Sequence, residues 1–215
     1  MAVNFPQVIF LDAVGTLFGV DSSVGQIYGD LAHGYGIEAD ASALNQAFFR
    51  AFKVAPPMAF GADQGSSVAD QEYSWWRLVA QQTFSSAGVL DHFVNFDEFF
   101  SHLYAHFATA DPWVVYPDVP VSLERWRQQG IELGIISNFD SRLYRVLEGL
   151  NLANYFQSVT ISSEAGAAKP DPHIFTIALQ KHHCQPASAW HVGDSQGDDV
   201  VGARAAGLRP IWIRR

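Results

Sequence analysis

Asp12 closes a short apolar run, Val8-Ile9-Phe10-Leu11, and Ala13-Val14-Gly15-Thr16-Leu17 follow it. An acid at the end of a buried strand delivers one carboxylate to the mouth of an α/β sheet. Gly15 lets the chain turn sharply, so that successive backbone N–H groups point into one concavity suited to anions. A carboxylate beside such a nest makes chemical sense when a cation neutralises it or when it attacks an electrophile held there. Asp12 is the candidate nucleophile. Further groups fall at comparable places. Ser137 and Asn138 follow the run Ile131–Ile136, and the Ser137 hydroxyl and Asn138 N–H can hold non-bridging oxygens of a phosphoryl group. Lys169, before Pro170-Asp171-Pro172, supplies a point charge for that group and steadies Asp12. Asp194, with Asp198 or Asp199 one helical turn on, makes an acidic cluster suited to a hard cation such as Mg²⁺, which would let an anionic nucleophile approach an anionic substrate.

Other residues invite blander readings. His102 and His106 share a helix face with no third ligand in view, and His182-His183-Cys184 ends a helix, where histidines need no ligand to explain them. Phe48, Phe49, Phe52, Trp75, Trp76, Phe99, Phe100 and Tyr104 read chiefly as helical core, with a minority lining an apolar pocket or a dimer interface.

The elements that must position these groups alternate. After the first strand, residues 18–110 read as an all-helical, aromatic-rich insertion with no strand pattern. Its helices run from Ser22-Ser23 through Tyr35, over Ala41–Val54, Val68–Phe84 and Phe96–Phe107, with a loop at 61–67. From Pro117 the chain returns to α/β order. Strands at 131–136, 158–161, 189–192 and 210–213 are separated by helices at 120–129, 141–150, 172–183 and 199–206. That pattern predicts an α/β fold with a Rossmann-like parallel sheet of five strands or more and functional groups at the strands' carboxyl ends. The expected units are a core of residues 1–17 and 111–215 and a helical cap of residues 18–110 that closes over the first strand's end.

Composition narrows the partners. The chain has 215 residues, 48% of them apolar and 16% charged, with net charge -9, so it can bury a substantial core. That balance, without a Lys/Arg run, argues against nucleic acid. No stretch has membrane-spanning length or, from Met1 to Gln7, signal-peptide form, and the single Cys184 excludes an internal disulfide. A cytoplasmic enzyme for a small phosphorylated molecule, monomeric or homodimeric, is the expectation.

Four stretches carry a family resemblance. Asp12 to Leu17 resembles D-x-D-G-T-L; Ile135-Ile-Ser-Asn138, Ser162 to Pro172 and Val192 to Asp199 resemble the three motifs that follow it in the haloacid dehalogenase superfamily. The chain looks like a member of the branch whose helical cap sits between the first and second motifs, and the resemblance spans its length. It implies Mg²⁺ held by Asp12, the backbone carbonyl of Val14, Asp194 and Asp199, with Asp198 as the alternative register. It also implies phosphatase chemistry through an aspartyl phosphate on Asp12, with Lys169 catalytic and Gly15, Ser137 and Asn138 on the phosphate.

One departure matters more than the matches. Val14 stands where the family's phosphatases carry a second Asp, which protonates the leaving group and then activates water. Losing a general acid/base costs about 10²–10⁴-fold in rate. Acyl phosphates and activated esters suffer less, and Asp21 or His33 from the cap are candidate substitutes. The same stretch is similar to the Asp-Ala-Tyr-Gly-Thr-Leu-Phe of haloacid dehalogenases, whose Asp displaces halide from carbon with no metal and no leaving-group acid; the motif-four acids stand against that reading. A phosphonatase would need a cap lysine, and Lys53 is the cap's only one. A further reading is a domain that binds a phosphorylated ligand or a partner without turnover.

Overall fold

The computed structural model describes residues 5–60 and 65–215, so Met1 to Asn4 and the first four residues of the expected loop at 61–67 lie outside the described residues. The chain begins with β1 (Val8–Leu11) and β2 (Phe18–Val20), then α1 (Val24–His33), α2 (Ala41–Val54), α3 (Val68–Ser86) and α4 (Phe96–His106). It continues through β3 (Trp113–Val115), α5 (Val119–Gln128), β4 (Glu132–Ser137), α6 (Arg142–Gly149), β5 (Ser158–Ile161) and the short α7 (Ser162–Ala165). Next come α8 (Pro172–Lys181), β6 (Ala189–Gly193), a wide π-helical turn at Gln196–Val201, α9 (Gly202–Ala205) and β7 (Arg209–Trp212).

Five parallel strands form one sheet in the order β5-β4-β1-β6-β7. β1 is central and all four of its residues are buried, because both faces of the sheet are covered. Ile9 and Leu11 join Leu133, Ile135, Leu123 and Leu143 on one face, under α5 and α6. Val8 and Phe10 join Ile136, Ile174, Phe175 and Leu179 on the other, under α8. From β1 the chain moves outward to β4 and β5, then crosses back to β6 and β7. The reversal opens a crevice at the carboxyl ends of β4, β1 and β6, where such folds bind ligands.

The helices of the insertion start where local chemistry dictates. Ser23, Asp40, Ser67 and Asn95 each accept a backbone N–H three residues on, satisfying a donor the first helical turn leaves free. Their buried faces form a separate core around Tyr28, Leu44, Trp75, Phe84 and Phe99. The insertion is not purely helical at its base. β2 and β3 pair antiparallel, Phe18 opposite Val115 and Val20 opposite Trp113, as a ribbon through which the chain leaves and re-enters the core. Three-residue strands are too short to show a period of two, which is why the sequence reads as helix and loop there. The expected helix at 199–206 also differs: the turn begins at Gln196, and the α-helical part is confined to Gly202–Ala205.

Candidate functional site

β1 ends on Leu11, and its backbone pairing continues one residue further, with Asp12 N–H donating to Val192 O at 2.9 Å. The Asp12 side chain therefore emerges between the ends of β4 and β6. Ser137 Oγ, from the last residue of β4, donates to Asp12 Oδ1 at 3.0 Å, and Lys169 Nζ donates to the same oxygen at 2.7 Å. Oδ2 of Asp12 takes part in neither bond, so its lone pairs are free of both donors, and Asp12 lines the crevice. Lys169 is itself held twice. Its ammonium donates to Asp199 Oδ1 at 2.6 Å, while its backbone is clamped by Asn138, whose Nδ2 donates to Lys169 O at 2.9 Å and whose Oδ1 accepts Lys169 N–H at 2.7 Å. Burial pulls the Lys169 pKa down, but the carboxylates of Asp12 and Asp199 outweigh it and hold the ammonium above the usual lysine range. It is a permanent cation at neutral pH.

Asp199 is the fulcrum of the site's far side. Its Oδ1 also accepts from His191 Nε2 at 2.8 Å, and its Oδ2 accepts the Ser195 N–H at 2.9 Å. The π-helical turn makes this return possible: Ser195 Oγ accepts Asp198 N–H, and the widened turn swings Asp199 back toward β6. Gly193 is required for the approach, since a Cβ there would lie 2.1 Å from Asp199 Cγ. Burial works against the Asp199 carboxylate, yet His191 and Lys169 together hold its pKa well below the ordinary carboxylate range. His191 is buried and pushed below the usual histidine range by desolvation, so it is neutral and donates from Nε2.

Asp194 differs from both. Among the described residues no side chain donates to its carboxylate, and burial plus the nearby charges of Asp12 and Asp199 raise its pKa. It lies against the backbone of Gly15, whose φ of 86° and missing Cβ allow the contact; a Cβ would come within 2.6 Å of Asp194 Oδ2. Asp12, Asp194 and Asp199 each offer an oxygen, all within 4.8 Å of one another. Three carboxylates against one lysine leave an excess of negative charge in a half-closed crevice. An all-oxygen donor set with that charge fits a hard divalent cation such as Mg²⁺. Asp194 is the most available ligand and Asp199 the least, since donors already engage both of its oxygens. Thr16, Leu17 and Phe18 N–H converge on Ala13 O and Gly15 N–H donates to Phe18 O, so that among the described residues none of the turn's backbone hydrogen bonds goes to the Val14 carbonyl. Of the two motif-four acids left open by the sequence, Asp199 is the one in the cluster; Asp198 lines the cavity beside it.

Above these groups lies a cavity of about 330 Å³ between the sheet's carboxyl edge and the helices of the insertion. Phe48, Phe49, Phe52, Trp76, Phe100 and Tyr104 line it; Phe48 and Phe100 belong at the same time to the buried core of the insertion, Trp76 and Tyr104 pack against that core, and Trp75 and Phe99 are core without lining the cavity. Helical spacing alone does not separate the two roles, because a wall and a core are equally apolar. Neither Asp21 nor His33 lines the cavity, and His33 pairs instead with Glu38 at the surface. Lys53 does not reach it either.

A second polar cluster, unread in the sequence, fixes the helices over the crevice. Arg142 is buried and grips Asp140 through Nε to Oδ1 at 2.9 Å and Nη2 to Oδ2 at 2.6 Å. From α3, Trp76 Nε1 donates to Asp140 Oδ2 at 2.5 Å and the fully buried Glu72 accepts both the N–H and the hydroxyl of Ser141. From α4, Tyr104 O accepts Arg142 Nη1 at 3.2 Å.

Comparison with known proteins places this geometry. Residues 6–207 match the family described as haloacid dehalogenase-like hydrolase. The haloacid dehalogenase-like hydrolase domain-containing protein 3 of Bos taurus is 38% identical over 202 residues, covering 94% of this chain and 79% of the relative. A HAD phosphatase from Thermococcus onnurineus has a solved structure that aligns with a TM-score of 0.63 at 25% identity, over 97% of this chain and 86% of that one. The L-2-haloacid dehalogenase of Xanthobacter autotrophicus aligns with a TM-score of 0.72 at 18% identity, over 97% and 78%. One fold thus carries both chemistries.

Proposed function

Because the chain belongs to the haloacid dehalogenase-like hydrolases, we propose that it is a Mg²⁺-dependent phosphatase of small phosphorylated molecules, with Asp12 as nucleophile. The observation that carries this reading is the crowding of Asp194 and Asp199 against Asp12. A nucleophile that attacks a neutral carbon gains nothing from two further carboxylates beside it. One that must meet an anionic phosphoryl group needs a cation, and these acids would hold it. When bound, Mg²⁺ supplies positive charge for the phosphoryl oxygens.

The chain's own residues do the rest. Lys169 and the Ser137 hydroxyl hold one Asp12 oxygen and so aim the other at phosphorus, while Lys169 lends its charge to the transferring group. Asn138 keeps the lysine at its station through the backbone. The aromatic wall excludes water from the crevice until the phosphoryl group has moved to Asp12. Val14 offers no proton for the departing oxygen.

Val14 and the dehalogenase fold likeness favour a second reading, halide displacement from carbon, which uses neither acid nor metal. The two part in one experiment, in which phosphate release from acetyl phosphate and halide release from 2-chloropropionate are followed with Mg²⁺ and with chelator. Metal-dependent phosphate release that is lost in Asp12→Asn is the expected result. Halide release unaffected by chelator would replace the phosphatase reading with the dehalogenase one.

A further inference from the structure

Resting on the reading of Asp12 as a phosphoryl acceptor, we propose that the natural substrate is an aryl phosphate monoester, whose uncharged aromatic ring sits in the cavity above Asp12 and leaves as a phenolate. Two independent features of the site converge on this class. The first is the wall. Tyr28, Phe48, Phe52, Trp76, Tyr104 and Trp113 surround the space above the nucleophile, and a volume of about 330 Å³ accommodates a one- or two-ring compound.

The wall's charge is as informative as its aromaticity. Among the described residues, apart from Lys169, which Asp12 and Asp199 occupy, the cation facing the cavity is Arg142. Its guanidinium is neutralised by Asp140 through two hydrogen bonds, and it lies over the rings of Tyr104 at 4.0 Å and Trp76 at 5.0 Å. A carboxylate or second phosphate on the substrate would be desolvated there with no free cation among the described residues to meet it. Substrates that are anionic at both ends are therefore disfavoured.

The second feature is Val14. An alkyl alcohol leaves as an alkoxide far more basic than water at neutral pH can tolerate, so it needs a proton donor. A phenol, with a pKa of about 10 like the tyrosine side chain, departs as the anion unaided. The bonds balance without an acid. Asp12 Oδ2 bonds to phosphorus as the P–O(aryl) bond breaks, its electron pair leaving with the aryl oxide, which later takes a proton from solvent. Water then attacks the phosphorus of the aspartyl phosphate. The bond to Asp12 breaks with its electrons returning to the carboxylate, and the water's proton goes to solvent with inorganic phosphate as product. The same Val14 leaves that second step without a base, so phosphoenzyme should accumulate.

The test uses the purified full chain with Mg²⁺ and four substrates: 1-naphthyl phosphate, acetyl phosphate, phosphoglycolate and phosphocholine. The expected result is a stoichiometric burst of naphthol followed by slower turnover, with kcat/KM at least 100-fold above phosphoglycolate and phosphocholine. In Phe52→Ala, at a partly exposed position of the wall, the ratio of naphthyl phosphate to acetyl phosphate kcat/KM should fall about tenfold. Acetyl phosphate turnover without an aryl preference would overturn this inference while leaving the phosphatase reading intact. A preference for phosphocholine would overturn it in favour of a cationic alcohol held by the same rings. Failure of all four substrates, with no phosphoryl group added to Asp12 by intact mass, would overturn both readings at once.

Discussion

At the scale of single residues, the site combines a complete holding apparatus with one missing chemical group. Asp12, Ser137, Lys169 and Asp199 form a continuous hydrogen-bonded chain, and Val14 lines the same cavity with nothing to donate. If the phosphatase reading holds, Val14→Asp should raise steady-state hydrolysis of an alkyl phosphate such as phosphoglycolate by about 10²-fold or more, because a positioned acid/base contributes about 10²–10⁴. The rate of the naphthol burst should change far less, since phenolate needs no proton; stopped-flow release measures both. An equal gain for the two substrates would mean that Val14→Asp acts through binding and not through proton transfer. These residues were legible from local signals: Asp12 and Ser137 end apolar runs, Lys169 precedes Pro170-Asp171-Pro172, and Asp199 lies one helical turn beyond Asp194. His191 and the Asn138 side chain were not: one is a polar residue inside a buried strand and the other braces a backbone 31 residues away, and only the folded sheet brings them to Asp199 and Lys169. Oxygens of Asp12 and Asp199 are shared among donors, so single substitutions here will not be additive.

At the scale of elements, the turn between β4 and α6 does two jobs. Ser137 and Asn138 face the nucleophile, and three residues later Asp140, Ser141 and Arg142 hold α3 and α4 in place above it. The Asp140–Arg142 pair is buried, so its energetics follow from desolvation and not from surface pairing. Removing one member strands the other charge in a low-dielectric site, which costs about 3–5 kcal/mol, whereas removing both in a well-packed way costs much less. Asp140→Asn should therefore lower stability by about that amount, and Asp140→Leu/Arg142→Met should recover most of it in urea unfolding. If the double variant were no better than the single, the stabilisation would lie in the bonds to Trp76 and Tyr104 and not in the charge pair. Glu72 offers a second reading of the same contact: Glu72→Ala leaves the part-buried Ser141 N–H without its partner, a loss of about 1 kcal/mol. Because α3 also supplies Trp76 to the cavity wall, its KM for an aryl phosphate should rise along with the loss of stability. Sequence periodicity found the cap helices and their starting residues well, since capping is a three-residue affair. It gave no hint of this latch, because an Asp-Ser-Arg triplet at a helix start reads as solvated until the fold buries it.

At the scale of the whole molecule, the alternation of strands and helices implied the parallel sheet, and strand-end acids implied where its crevice lies. The β2–β3 ribbon and the division of aromatics between cap core and cavity wall depend on which faces meet, which no single stretch encodes. Burial on both faces of the sheet also leaves a signature in global stability. His191 lies wholly inside, on β6, with Phe175 packed edge-on at 5.1 Å, and desolvation pushes its pKa below the ordinary 6.5. The unfolded chain takes up a proton at this residue as pH falls through about 6.5, while the folded chain does not until lower pH. Unfolding therefore binds protons in that window, and stability must fall as pH drops from 7 toward 5. Asp199 contributes nothing to this slope, because a carboxylate depressed in the folded state loses its stabilisation only below the ordinary carboxylate range. Asp194 and Asp198, raised chiefly by burial, act with the opposite sign. The thermal midpoint, measured with chelator so that no cation occupies the acids, should decline over pH 7 to 5 in the parent chain. In His191→Gln, whose amide can still donate to Asp199 and has no proton to gain, the same range should be flat or rise slightly. A parent-like decline in that variant would place the acid sensitivity in another group, and a steeper decline would mean that His191 is already protonated against Asp199 when folded.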